Sequence, residues 1–276
     1  MCYHRDVPAI DPVVRRVAIP WLILVSVFGA RAAAADDPLA RARLLYNQRQ
    51  FEAAVSAAEQ ARLTASRADA ADLVAARAYI ERFRESSASD DLTNARERLR
   101  RLDPQRFPAR ERVEYIVGLG ETLFFDGSFG AAAGVFESVL KGGDALAGDA
   151  RERVLDWWAT AIDREAKPRS ESERQTVYQR IRARMEEELA SHSGSGAAAY
   201  WVAAAARAQG DLQGAWDAAQ AGWVRAPLAA DGGAALRADL DLLMMRGIVP
   251  DRAKALAQPA ETLRTQWEQF KEKWKR

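Results

Sequence analysis

Apolar positions recur along this chain at intervals of three and four, most plainly between Val113 and Leu140. Ile116, Leu119, Leu123 and Phe124 mark one helical face, and Phe129, Ala132, Phe136, Val139 and Leu140 mark another. Asp126-Gly127 separates them, because glycine accepts the left-handed backbone that commonly ends a helix. The spacing predicts two helices joined by a tight turn. Gly120 and Ala132 are the small residues at which the two backbones are expected to approach most closely.

The same reading extends in both directions. Asp36-Asp37-Pro38 places acidic residues and a proline where a helix can begin. Ala42, Leu45 and Tyr46 lie on that helix; Asn47 to Gln50 is a polar turn, and Phe51, Ala54, Ala58 and Ala61 mark the next helix. Asp69 to Glu85 is predicted helical, with Leu73, Ala76, Ile80 and Phe83 inward. Ser86 to Asp91 reads as a long polar loop, followed by a helix carrying Leu92, Ala95, Leu99 and Leu102 that Asp103-Pro104 ends. Beyond Gly142-Gly143 a long helix is expected from about Asp149 to Glu165, with Val154, Leu155, Trp158 and Ile162 buried. Pro168 separates it from a charged helix, Glu171 to Leu189, whose stripe is Val177, Ile181, Met185 and Leu189. His192 to Gly196 reads as a flexible break. Ala197 to Pro227 then repeats the central pattern, with Gly210-Asp211-Leu212 as its turn. In the tail, Ala234 to Arg246 is a helix, Gly247-Ile248-Val249-Pro250 reads as a stop and restart, and a last helix begins near Ala260.

Alanine and arginine are abundant, β-branched residues are sparse over long tracts, and no segment alternates with a period of two. The fold class is therefore all-α. Aligning the small residues of the second helices gives Ala54, Ala95, Ala132 and Ala215, at intervals of 41, 37 and 83 residues. Intervals of this size predict a repeat array of about five antiparallel helix pairs.

The central pattern resembles a tetratricopeptide repeat. That family places an apolar residue and glycine in helix A, then Gly-x-aromatic-x-x-Ala in helix B; Leu119-Gly120, Gly127, Phe129, Ala132 and Phe136 occupy those places. Phe51 and Ala54 match Phe129 and Ala132 in the first unit, with Arg49 standing where the turn glycine belongs. Gly210, Ala215 and the terminating Pro227 match in the last unit, with Ala203 at the small helix-A position. The resemblance implies an α-solenoid over residues 36–230, a TPR-like superhelix capped by C-terminal helices over 231–276. It also implies that helix A of each pair lines a concave groove. Carried over position by position, the groove residues are Arg43, Tyr46 and Asn47, then Glu121 and Phe125, then Tyr200 and Arg207. None of these belongs to the basic clamp with which some members hold a carboxylate tail.

Residues 1–35 read differently. Arg15-Arg16 precedes an apolar run from Val17 to Ala30, and Ala33-Ala34-Ala35 offers small residues before Asp36. This is the pattern of a secretory signal peptide, and it predicts export to the periplasm or the exterior. An uncleaved membrane anchor is the alternative, disfavoured by Pro20 within the run and Arg31 at its end. Cys2 precedes the run, so it is not placed for lipidation. Cleavage after Ala35 removes four basic and two acidic side chains, taking the net charge from +1 to −1. It also removes the sole cysteine and His4, leaving His192 as the last histidine.

These losses bound the chemistry. A near-neutral chain offers no global attraction for nucleic acid. Without cysteine, and with one histidine, there is no Cys-based zinc site, no Cys-His nucleophile and no multi-histidine metal centre. There is no Walker loop, dinucleotide glycine motif or serine elbow, so neither cofactor nor metal is expected. His192 reads as a solvated loop residue, and Glu186 to Glu188 as a solvated helix face. The run Arg96, Arg98, Arg100, Arg101, Arg106, Arg110 and Arg112, interrupted by Glu97, Asp103 and Glu111, reads as a salt-bridged surface, with a site for an anionic partner as the alternative. Leu263, Trp267, Phe270 and Trp274 form a stripe expected to cap the last repeat, with partner or membrane docking as the alternative. The expected function is a non-catalytic exported scaffold for a protein or peptide partner. The alternative is a cell-wall hydrolase using a carboxylate pair on a helical superhelix.

Overall fold

The computed structural model describes residues 37–142, Leu146 and residues 148–275. The predicted signal segment, 1–35, lies outside the described residues. Those described are helical almost throughout and contain no strand, so the chain is all-α.

Five helix pairs follow one another. They are α1 (Pro38–Asn47) with α2 (Phe51–Arg62), α3 (Ala68–Ser86) with α4 (Ser89–Arg101), and α5 (Ala109–Phe125) with α6 (Phe129–Lys141). Then come α7 (Gly148–Ala166) with α8 (Glu171–Ser191), and α9 (Gly196–Ala208) with α10 (Leu212–Arg225). Two tail elements, α11 (Ala234–Leu243) and α12 (Val249–Leu256), lead to a last helix, α13 (Ala260–Lys273).

Local chemistry sets most boundaries. Asp37 caps α1 by accepting the Leu39 N–H at 3.0 Å, with Pro38 in the first turn. Ser170 and Glu173 form a capping box at α8, while Ser195 and Asp211 cap α9 and α10. Gly127 and Gly210 both take φ +77° at the turns that close their first helices.

Each helix packs on its neighbour in sequence. Alternate helices also touch, α1 on α3, α3 on α5, α5 on α7, α7 on α9 and α9 on α11. The first helices of the pairs therefore form one layer and the second helices flank it. The four aligned alanines, Ala54, Ala95, Ala132 and Ala215, are each fully buried, as is Ala203. Their methyl-sized side chains permit the close approach that the pairing needs.

Three expectations change. The polar loop after α3 is only Ser87 and Ala88. Ser87 adopts φ +58°, the Ser86 hydroxyl accepts the Ala88 N–H at 3.2 Å, and Asp90 and Asp91 sit in the favourable first turn of α4. The polar residues thus belong to helix ends. Likewise, Gly247 to Pro250 does not stop the chain. Met244–Ile248 forms a π-helical turn joining α11 to α12 without a break. Pro250 lacks an N–H and crowds the carbonyl one turn back, and a widened turn relieves that crowding.

The third change is at the end of α8. Glu188 is 2% exposed rather than solvated. It receives two 2.7 Å hydrogen bonds from the Arg151 guanidinium, and His192 Nδ1 lies 2.9 Å away. Burial pushes the Glu188 carboxyl up, and the Arg151, His192 and Arg184 contacts outweigh that and hold it below its ordinary value. His192, expected as a solvated loop residue, is exposed and lies just past the helix as the C-terminal cap residue of α8.

Two readings hold. Five of the seven arginines in the run are salt-bridged, Arg96 to Asp126, Arg98 to Asp72 and Glu59, Arg101 to Glu97, Arg106 to Asp69, and Arg110 to Glu114, while Arg112 donates to the Pro104 and Phe107 carbonyls. The final helix caps the array. Trp267 is fully buried, its ring 5.3 Å from that of Trp223 on α10, and its Nε1 donates to Asp241 at 2.8 Å. Among the described residues no helix is long and apolar enough to cross a membrane.

Candidate binding groove

The layer of first helices bounds a groove made of adjoining cavities. One, of about 300 Å³, lies at the α1 end among α1, α3 and α5. A second, of about 1030 Å³, extends from Tyr46 and Arg77 to Asp149 and Arg153 on α7. A third, of about 820 Å³, continues from Arg84, Asp149 and Arg153 to α9 and α11. Because the second and third share those three residues, they form one passage along the array.

Arg43, Tyr46 and Asn47 come together at its α1 end. The Arg43 guanidinium pairs with Glu111, and the Arg77 guanidinium lies 4.4 Å over the Tyr46 ring. Burial, then opposed by Arg77, raises the Tyr46 hydroxyl above its ordinary value. Tyr200 lines the third cavity. Arg207 lies further along α9, beside a smaller cavity, where its Nε donates to Asp251 at 2.7 Å.

The two central candidates behave otherwise. Phe125 stands in an aromatic cluster, 4.9 Å from the Phe83 ring and 5.4 Å from Trp157, so its contribution is packing between helices. Glu121 is half-buried and makes no hydrogen bond or ion pair among the described residues. Burial first, and the charge of Glu81 second, raise its carboxyl to about 7, against the lowering pull of Arg77, Arg84 and Arg153.

The groove also contains residues that the repeat resemblance did not supply. Arg77, Glu81 and Arg84 come from α3, and Arg153, Asp156 and Trp157 from α7. These are the first helices of the two pairs that match the repeat pattern poorly. Their signal was positional: counting helices in alternation assigns α3 and α7 to the same layer as α1, α5 and α9. Trp157 is a hub, 4.6 Å from the Phe124 ring and carrying the Arg84 guanidinium 5.4 Å above it.

The charges are unevenly matched. Toward α1, Arg77 pairs with Glu114 at 2.8 Å, Arg84 with Glu81 at 3.0 Å and Arg49 with Glu85 at 3.7 Å. Toward α11 the carboxylates make no ion pair among the described residues. Nor do three metal-ligating side chains converge anywhere among them. The arrangement can hold an elongated, polar ligand by charge and ring contacts. Neither a protein-family model nor a curated protein matches the chain.

Proposed function

We propose that the chain is a non-catalytic, tetratricopeptide-like scaffold that holds an extended peptide or protein segment along the face formed by its first helices. The observation that carries this reading is the continuous passage bounded by α1, α3, α5, α7, α9 and α11, with charged and aromatic side chains along its walls. A long polar groove on a rigid helical array suits a ligand that is itself extended and pays little to be straightened. The N-terminal pattern supports an exported scaffold with its partner in the cell envelope.

The test is affinity capture from the native envelope fraction with the wild-type chain and with a groove variant, Arg77→Ala combined with Trp157→Ala. Partners retained by the first and lost by the second support the reading. Retention by both excludes the groove as the binding face. Sequencing the N-terminus of protein from its native host checks export, with a mature start near Asp36 expected.

One observation favours an enzymatic reading. Glu121, held near neutrality beside Glu81, has the properties of a general acid with a neighbouring carboxylate. Release of soluble fragments from peptidoglycan, abolished by Glu121→Gln, supports the hydrolase and overturns the scaffold.

A further inference from the structure

We propose that the cavity between α7, α9 and α11 receives the guanidinium or ammonium group of a basic side chain, so that the ligand of the groove is a segment bearing arginine or lysine. This rests on the scaffold reading above and specifies its ligand.

Five carboxylates line the cavity, Asp149, Glu152, Asp156, Asp231 and Asp239, against two guanidiniums, Arg84 and Arg153. The two arginines sit where this cavity meets its neighbour, so the end toward α11 is anionic. Three of the acids accept hydrogen bonds from neutral donors and make no ion pair among the described residues. Glu152 accepts the Ala197 N–H at 3.0 Å, Asp156 accepts Trp201 Nε1 at 2.8 Å, and Asp231 accepts the Gly233 N–H at 2.8 Å. Asp239 makes no hydrogen bond or ion pair among the described residues. In the adjoining cavity, by contrast, Glu114, Glu81 and Glu85 are each matched by an arginine. The missing partner at this end is a cation.

The other walls fit an organic cation. Tyr200 and Trp201 contribute aromatic rings, held edge to face at 5.6 Å, beside Trp157, whose ring already carries the Arg84 guanidinium. Ring faces and carboxylates together stabilise guanidinium and ammonium groups once both are removed from bulk water. An inorganic ion fits poorly, because no three ligating groups converge. A volume of about 820 Å³ takes a long side chain with part of its backbone. The field is visible in the titration of the walls: burial and the charge of Asp156 raise the Asp239 carboxyl, while burial, Asp239 and Asp156 raise the Tyr200 hydroxyl. Charge complementarity thus selects the occupant.

The experiment uses short fluorescent peptides in which glycine alternates with arginine, serine or glutamate, titrated against the full chain by anisotropy. The arginine peptide should bind most tightly. Asp156→Asn with Asp239→Asn should weaken it at least about tenfold. Both positions are exposed, and asparagine at 156 still accepts the Trp201 hydrogen bond, so folding is retained and thermal unfolding checks it. Arg153→Gln, which removes a positive charge from the rim, should tighten binding, and a weakening would count against the proposal. Opposite effects of the two changes cannot come from general loosening of the fold. Binding of the serine or glutamate peptide at equal or greater strength overturns the basic-ligand proposal and leaves the scaffold. Binding of no peptide overturns both.

Discussion

A side-chain carbon placed on Gly120 would lie 2.5 Å from Cε1 of Phe136. Gly120 is on α5 and Phe136 on α6, and the ring is fully buried. The pair therefore closes through an absent side chain on one helix and a large one on the other. Gly120→Ala should destabilise by about 1–3 kcal/mol, despite the better helix propensity of alanine. Gly134, on α6, has nothing within 4 Å of the same position, so Gly134→Ala should stabilise by about 0.5–1 kcal/mol. Denaturant unfolding of both variants measures the contrast; the same sign for both would contradict the packing described.

Arg49 adopts φ +60° at the turn between α1 and α2, where the other two repeat-like pairs use glycine at +77°. A left-handed conformation costs a side-chain-bearing residue about 1 kcal/mol. Its ion pair with Glu85, at 3.7 Å and well exposed, returns little. Arg49→Gly should therefore stabilise the chain by about 0.5–1 kcal/mol, read as a rise in melting temperature.

Arg151 and Glu188 join α7 to α8 through a buried pair. Arg151→Met leaves the carboxylate buried with only Arg184 at 3.7 Å and His192 at 2.9 Å beside it. The loss should be about 2–3 kcal/mol, and Glu188→Met in the same chain should restore part of it. A double-mutant cycle in urea gives the coupling directly.

Glu121 makes stability depend on pH. Its folded carboxyl is raised from 4.5 to about 7, so the folded state keeps a proton that the unfolded chain has released between those values. Stability must then fall as pH rises through that window, and the loss is complete above it. Glu121→Gln should flatten this slope and stabilise the chain by about 1–3 kcal/mol at about pH 8. Unfolding free energies at several pH values check both the sign and the window.

The local sequence specified the helices and where they turn. Caps such as Asp37, Ser170 and Asp211 act within three residues, and Gly127 and Gly210 act at their own positions, so a short window contains the whole cause. Alanines at matched places in the second helices were enough to predict five pairs, because only a small side chain admits a second backbone at that distance. Polar residues next to such ends were less informative. Ser86 to Asp91 carries turn chemistry and helix-start chemistry in the same letters, and Pro250 is tolerated because a π turn makes room for its ring.

What faces what was settled only by the tertiary structure. Arg77 meets Glu114 from 37 residues away, Glu188 meets Arg151 from 37, and Trp201 meets Asp156 from 45. Each of these spans is close to one full repeat, far beyond the three- and four-residue spacing that reveals a helical face. Glu186 and Glu188 read alike along the chain, yet one reaches solvent and the other a buried guanidinium, because the neighbouring helix chooses between them. The groove shows the same division. Arg43, Tyr46 and Asn47 on α1 and Tyr200 on α9 were legible from the repeat pattern, but α5 presents Arg110 and Glu114 to the groove rather than Glu121 and Phe125, and α3 and α7 entered it because stacking brings alternate helices side by side whatever their motif.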